Sequence, residues 1–131
     1  MSEPCLSWVD QRGDSDCWIA CLSSLTGIDI ALFPQPPALD RWKAEAVEYG
    51  NRVRRFVQQR GWLLMHVWRF VPTGYAIAGG PSPRGIEDGH AVVVRNGELV
   101  HDPHPSRSGL SGPIEDYEFL IRIHPKYEEE P

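Results

Sequence analysis

Clustered positive charge is what this sequence most plainly lacks. Its 13 Lys and Arg are outnumbered by 18 Asp and Glu, for a formal charge of -5. Phosphate binding needs grouped Lys and Arg, so nucleic acid is not expected as a main partner. The nearest thing to a basic block, Arg52, Arg54 and Arg55 with Arg60, reads as one solvated helix face. Long apolar runs are missing too. No window approaches the roughly 18–20 apolar residues of a membrane span, so no membrane is expected. The start, Met1-Ser2-Glu3-Pro4, has neither the positive region nor the apolar stretch of a signal peptide. These absences together point to the cytoplasm, where thiols stay reduced. Cysteines number only three, an odd count that disfavours a disulfide framework and leaves at least one thiol free. There is no internal repeat and no low-complexity segment.

What is present fits one ordinary globular domain over residues 1–131, with 41% hydrophobic and 24% charged residues. The acidic Glu128, Glu129 and Glu130 read as a solvated, frayed end. Asp14-Ser15-Asp16 offers N-cap residues for a short helix beginning at Cys17, in which Trp18, Cys21, Leu22 and Leu25 recur at helical spacing and Gly27 ends the run. Pro34, Pro36 and Pro37 make residues 33–37 a linker. From Asp40 a second apolar stripe runs through Trp42, Ala46, Tyr49, Val53, Phe56 and Val57 to Gly61, with a possible break and a new cap at Gly50-Asn51. Strands follow at 62–68, 75–78, 90–94, 98–100 and 118–123, and a loop rich in Gly, Pro and Ser fills 79–89. Asn96-Gly97 is a hairpin turn signal. Helices first and an antiparallel sheet afterwards make an α+β fold, with N-terminal helices packed on a C-terminal sheet.

The candidate chemistry starts from Cys17. A thiolate attacks a carbonyl well only if something favours its charge and a base stands beside it. The first turn of a helix supplies part of this through its unpaired N–H groups and dipole. Cys17 has that position, whereas Cys21 is one turn further in and reads, like Cys5, as packing. His90 begins a strand after a flexible loop. If Asn96-Gly97 is the turn, residue 95 pairs with 98 and residue 90 lies near 103, which brings Asp102 within reach of the His90 ring. Gln11, six positions before Cys17, is placed to donate its amide to a developing oxyanion. Trp18 reads as a wall that substrate touches. Arg84, in the loop before His90, reads as a contact for a substrate carboxylate or phosphate.

Gln11-x5-Cys17-Trp18 ahead of a helix, then a strand-initial His90, then Asp102, resembles the papain-like cysteine peptidases. Gly89-His90-Ala91-Val92-Val93-Val94 through His101-Asp102-Pro103 looks most like their compact bacterial C39-type branch. The resemblance covers roughly residues 8–25 and 87–110. The string from His101 to Arg107 is also similar to proteins of bacteria and their phages. The resemblance implies a papain-like fold, with Cys17 as nucleophile, His90 as acid and base, Asp102 as orienting carboxylate and Gln11 in the oxyanion hole. It implies a peptide, protein or small amide as substrate, and no cofactor. Two features depart from the pattern: Asp14 and Asp16 crowd the nucleophile and oppose its ionisation unless they point away or cap the helix, and there is no second lobe for a long cleft.

Other classes remain open on these residues. A transferase or deamidase would use the same acyl-enzyme, and a non-catalytic binding module would use the same cleft. A zinc set of Cys17, Cys21, His101 and His104 is the metal alternative. Its C-x3-C spacing within a helix is less usual, and strand alternation sends His101 and Asp102 to opposite faces, so no metal is expected. Trp8, Trp18 and Trp68 read as core or cleft wall rather than a platform for bases.

Overall fold

The computed structural model describes residues 6–86 and 89–124. Cys5, the acidic tail and residues 87 and 88 of the loop before His90 lie outside that set. Two helices, α1 (Cys17–Thr26) and α2 (Leu39–Gln59), precede five strands: β1 (Trp62–Val67), β2 (Tyr75–Gly80), β3 (His90–Arg95), β4 (Glu98–His101) and β5 (Asp116–Arg122). All strand pairings are antiparallel, in the order β1-β5-β2-β3-β4. This is the expected α+β arrangement, helices first and packed on the later sheet. No helix among the described residues is long and apolar enough to cross a membrane.

Helix α1 is the centre of the core. Ile19, Ala20, Cys21 and Leu22 are fully buried in succession, because the helix has protein on nearly every side. Its polar Ser24 is satisfied internally, donating to Ala20 O and accepting from Val9 N–H. Gly27 ends the helix in the left-handed conformation (φ 79°) and donates to Ser23 O. Helix α2 lays Tyr49, Val53 and Val57 onto the same core. At roughly 1.5–3 kcal/mol for each large side chain removed from water, this contact holds the helices to the sheet. The opposite sheet face buries Ala76, Ala78, Val92 and Val94 under Leu110 and Ile114 of the β4–β5 connection.

Several local expectations need correction. Helix α2 does not break at Gly50-Asn51, because its apolar stripe keeps phase across the glycine and Asn51 caps nothing. A single 3-10 turn, Ile30–Leu32, precedes the proline linker, capped by Asp29 accepting from Ala31 N–H. Strand β2 runs on through Gly79-Gly80, which pair with Ala91 and His90, so the loop before His90 is shorter than 79–89. The last strand begins at Asp116 rather than Glu118. It inserts between β1 and β2, a long-range pairing that no local signal announces. Trp8 and Trp68 are neither core nor cleft wall: both are exposed, Trp8 stacking on His101 at 5.3 Å.

Candidate active site

Cys17 is the first residue of α1, and the residue before it takes the N-cap position. Asp16 does not cap the helix with its side chain. Its carboxylate turns back instead to accept from Arg12 N–H (2.8 Å) and Gly13 N–H (2.9 Å). Asp16 therefore fixes the loop that delivers Cys17, while Asp14 is exposed. Burial pushes the Cys17 thiol above its usual range. The backbone N–H groups of Ala91, Trp18 and Cys17 itself favour the thiolate, but do not outweigh burial and the nearby Asp16 charge. The resting sulfur is thus a protonated thiol. Cys21, fully buried, is pushed up much further by burial.

The Asn96-Gly97 turn forms with both residues at positive φ (52° and 84°) and pairs Arg95 with Glu98 as expected. A bulge between Val93 and Val94 then shifts the register, so that Val93 faces His101. Past the bulge, His90 Nε2 and Asp102 Oδ1 meet at 2.7 Å, with both side chains almost wholly buried. Asp102 also accepts from His104 N–H (2.9 Å) and Gly109 N–H (2.7 Å). Burial alone would raise its pKa, but these three donors hold the carboxyl below its usual value. Burial lowers the His90 pKa, and Asp102 offsets this only in part. A neutral imidazole whose Nε2–H donates to Asp102 leaves Nδ1 to take a proton.

Gln11 ties the loop before Cys17 to the Asp102 strand end. Its N–H donates to Pro103 O (2.9 Å) and its Nε2 to Gly13 O (2.6 Å). The second contact fixes the amide orientation and leaves one Nε2 hydrogen for another acceptor. Trp18 donates from Nε1 to Glu118 Oε1 at 2.6 Å, and Arg54 holds Glu118 Oε2 at 2.7 Å. Arg54 is therefore not part of a purely solvated basic face.

Cys17, Trp18 and His90 line one cleft of about 400 Å³. Its floor is the helix-facing side of the sheet, where Asp116, Gly79 and Ala91 form one cross-strand row and His66 and Glu118 lie opposite each other in the next. Its roof is the α2 stripe Leu39, Trp42, Ala46, Gly50 and Arg54. Neither Gln11, expected in the oxyanion hole, nor Arg84 is among the cleft residues described. Arg84 Nη1 donates to Ser106 Oγ (3.2 Å), and its charge helps keep His90 neutral. The zinc set does not assemble: among the described residues no group of three or more His, Cys, Asp or Glu is placed to hold a metal. Cys21 is enclosed in the core, and His101 faces Trp8 and Asp10.

The sequence singled out Cys17, His90, Asp102, Gln11 and Trp18. It missed Glu118 and Arg54, which clamp Trp18, and the His104 and Gly109 N–H groups that complete the Asp102 cage. For Gly109 a signal existed, since Ser108-Gly109 invites the positive φ (72°) found there. For Glu118 none did, because its position depends on β5 entering the middle of the sheet. In comparisons with protein-family models, curated proteins and solved structures, the chain matches none.

Proposed function

We propose that this chain is a cysteine-dependent hydrolase of an amide, peptide or isopeptide bond, working like the papain-like cysteine peptidases that its sequence resembles. The observation that carries this reading is the buried His90–Asp102 pair, which opens on the same cleft as Cys17 at the start of α1. Asp102 fixes the ring so that Nδ1 takes the Cys17 proton as the sulfur attacks the substrate carbonyl. The Cys17 N–H supports the oxyanion, and Gln11 acts behind it by holding Gly13 O and Pro103 O. The imidazolium then protonates the leaving nitrogen, the C–N bond breaks, and a thioester remains on Cys17. Water gives a proton to His90 Nδ1 and attacks the thioester carbonyl. The C–S bond breaks, the acid departs and the thiol is restored. Burial favours a neutral thiol and a neutral imidazole at rest, which suits proton transfer to His90 during attack. A free-thiol nucleophile suits a reducing compartment such as the cytoplasm.

The protonated Cys17 also favours a second reading, a binding module that holds a partner in the cleft without reacting. Intact-mass analysis with a panel of acetyl-dipeptide aryl esters and amides separates the two. The enzyme reading expects a hydroxylamine-labile acyl group on Cys17, absent in Cys17→Ala and formed about 10²–10⁴-fold more slowly in His90→Ala. If Cys17 acquires no acyl group from any ester or amide, or if His90→Ala acylates as fast as wild type, the hydrolase reading is wrong.

A further inference from the structure

The wall of the cleft that faces away from Asp102 has its own construction. Asp116 on β5 and His66 on β1 are joined at 2.7 Å, Oδ2 to Nε2, and both side chains remain partly exposed. Asp116 stands directly across from Gly79, and Gly79 directly across from Ala91, whose N–H favours the Cys17 thiolate. A Cβ on residue 79 would sit 2.5 Å from Asp116 Oδ1. The glycine therefore lets the carboxylate lie over β2, in the same cross-strand row as Ala91. His66 occupies one oxygen of Asp116, and the other faces this glycine-cut niche.

The charges around the cleft are unequal. Asp14, Glu115, Asp116 and Glu118 contribute carboxylates, and Arg54 is the one Lys or Arg among the cleft residues described. Arg54 is already committed to Glu118 at 2.7 Å. With that pair set aside, Asp14, Glu115 and Asp116 remain with no Lys or Arg among the described cleft residues, and His66 is the partner of Asp116. Trp18 and Trp42 add aromatic surface beside the carboxylates, the combination that suits an ammonium or guanidinium group.

We infer that this wall is a specificity subsite for a positively charged group. The substrate carries a primary ammonium or guanidinium close to the bond that Cys17 attacks, and Asp116, oriented by His66, receives it. This rests on the hydrolase reading and names its substrate class. An anionic substrate would face the same carboxylates unpaired, so the subsite rejects as well as selects.

Three matched acetyl-dipeptidyl chloromethyl ketones with lysine, norleucine or glutamate beside the reactive carbonyl test this on the intact protein. The rate of Cys17 alkylation is read by peptide mass spectrometry. The expected order is lysine over norleucine over glutamate, with at least about a tenfold lysine-to-glutamate ratio, the equivalent of about 1.4 kcal/mol. In Asp116→Asn the ratio falls below about twofold, whereas His66→Gln, which keeps Asp116 charged, retains most of it. Because an unfolded chain would alkylate Cys17 without selectivity, only the His90-dependent part of each rate, found by subtracting the rate in the matching His90→Ala background, enters the ratio. Cys17 alkylation that depends on His90 but is equal across the three probes, or a ratio unchanged in Asp116→Asn, overturns the subsite and leaves the hydrolase reading standing. Alkylation equally slow in wild type and His90→Ala with every probe overturns both.

Discussion

Trp18 and Glu118, 100 residues apart in the chain, are joined by a 2.6 Å hydrogen bond from the indole Nε1 to Oε1. The bond pins the second residue of α1 to the middle of the sheet, and Arg54 closes it from α2 at 2.7 Å. Three elements that share no local sequence thereby meet on one carboxylate beside Cys17. Glu118→Ala strands the indole N–H and should cost about 1–3 kcal/mol. The Arg54 side chain is 40% exposed, so its ion pair adds at most about 1 kcal/mol of this. Glu118→Gln keeps an oxygen for Trp18 and should lose clearly less. Urea unfolding of the two variants checks the order. Equal losses would mean that the indole bond contributes little.

Gly50 shows where local reading of the sequence failed and what the failure means. A glycine inside a helix costs about 0.5–1 kcal/mol relative to alanine, which is why Gly50-Asn51 reads as a possible break. Tertiary packing of Tyr49, Val53 and Val57 overrides that cost. Nothing lies within 4 Å of a Cβ built on Gly50, and the residue is part of the cleft roof. Gly50→Ala should therefore raise stability by about 0.5–1 kcal/mol while narrowing the cleft and raising KM for any bulky substrate. Thermal unfolding beside steady-state kinetics reads both effects. A destabilised variant would show that the helix needs the glycine for its own geometry.

The contrast between what was legible and what was not follows contact range. The helix start at Cys17, the Gly27 stop and the Asn96-Gly97 turn are local chemistry, and all three appear where the residues put them. The His90–Asp102 pairing follows from the turn with one correction, the bulge at Val93/Val94, which no single residue type announces. The cleft floor was invisible, because Asp116, Gly79 and Ala91 align only once β5 slots between β1 and β2. Asp16 looked like a cap because Asp is a good cap. Its carboxylate found two backbone N–H groups in its own loop instead.

The buried His90–Asp102 pair makes stability depend on pH in a defined sense. Burial holds His90 below its ordinary value of 6.5, so the unfolded chain takes up that proton first as pH falls. The contribution is complete above 6.5 and declines as pH drops through it towards the lowered value. Asp102, held below its ordinary 3.8, adds stability that is present above 3.8 and lost as pH falls through its lowered value. Unfolding free energy should therefore decline from pH 6.5 downwards and again in strong acid. His90→Gln should flatten the first decline. If the slope below pH 6.5 is the same in that variant, His90 is not the group responsible.

Asp16 sets a trade between placing the Cys17 thiol and ionising it. Its carboxylate holds the Arg12 and Gly13 N–H groups and so fixes the approach to α1, yet its charge is one of the causes that raise the Cys17 thiol. Asp16→Asn removes the charge and keeps one carbonyl oxygen for those donors. It should cost about 1 kcal/mol of stability through the weakened loop bonds. In return the Cys17 pKa should move down, because burial is then opposed by the same backbone N–H groups without Asp16 adding to it. Iodoacetamide alkylation of Cys17, followed between about pH 6 and pH 11 by peptide mass spectrometry, reads the shift directly. The midpoint should fall and the rate near neutral pH should rise relative to wild type. Turnover should fall nonetheless if placement of the loop matters more than resting ionisation, as expected for an attack in which His90 removes the proton. An unchanged midpoint would show that the charge on Asp16 is spent wholly on its own loop and does not reach the sulfur.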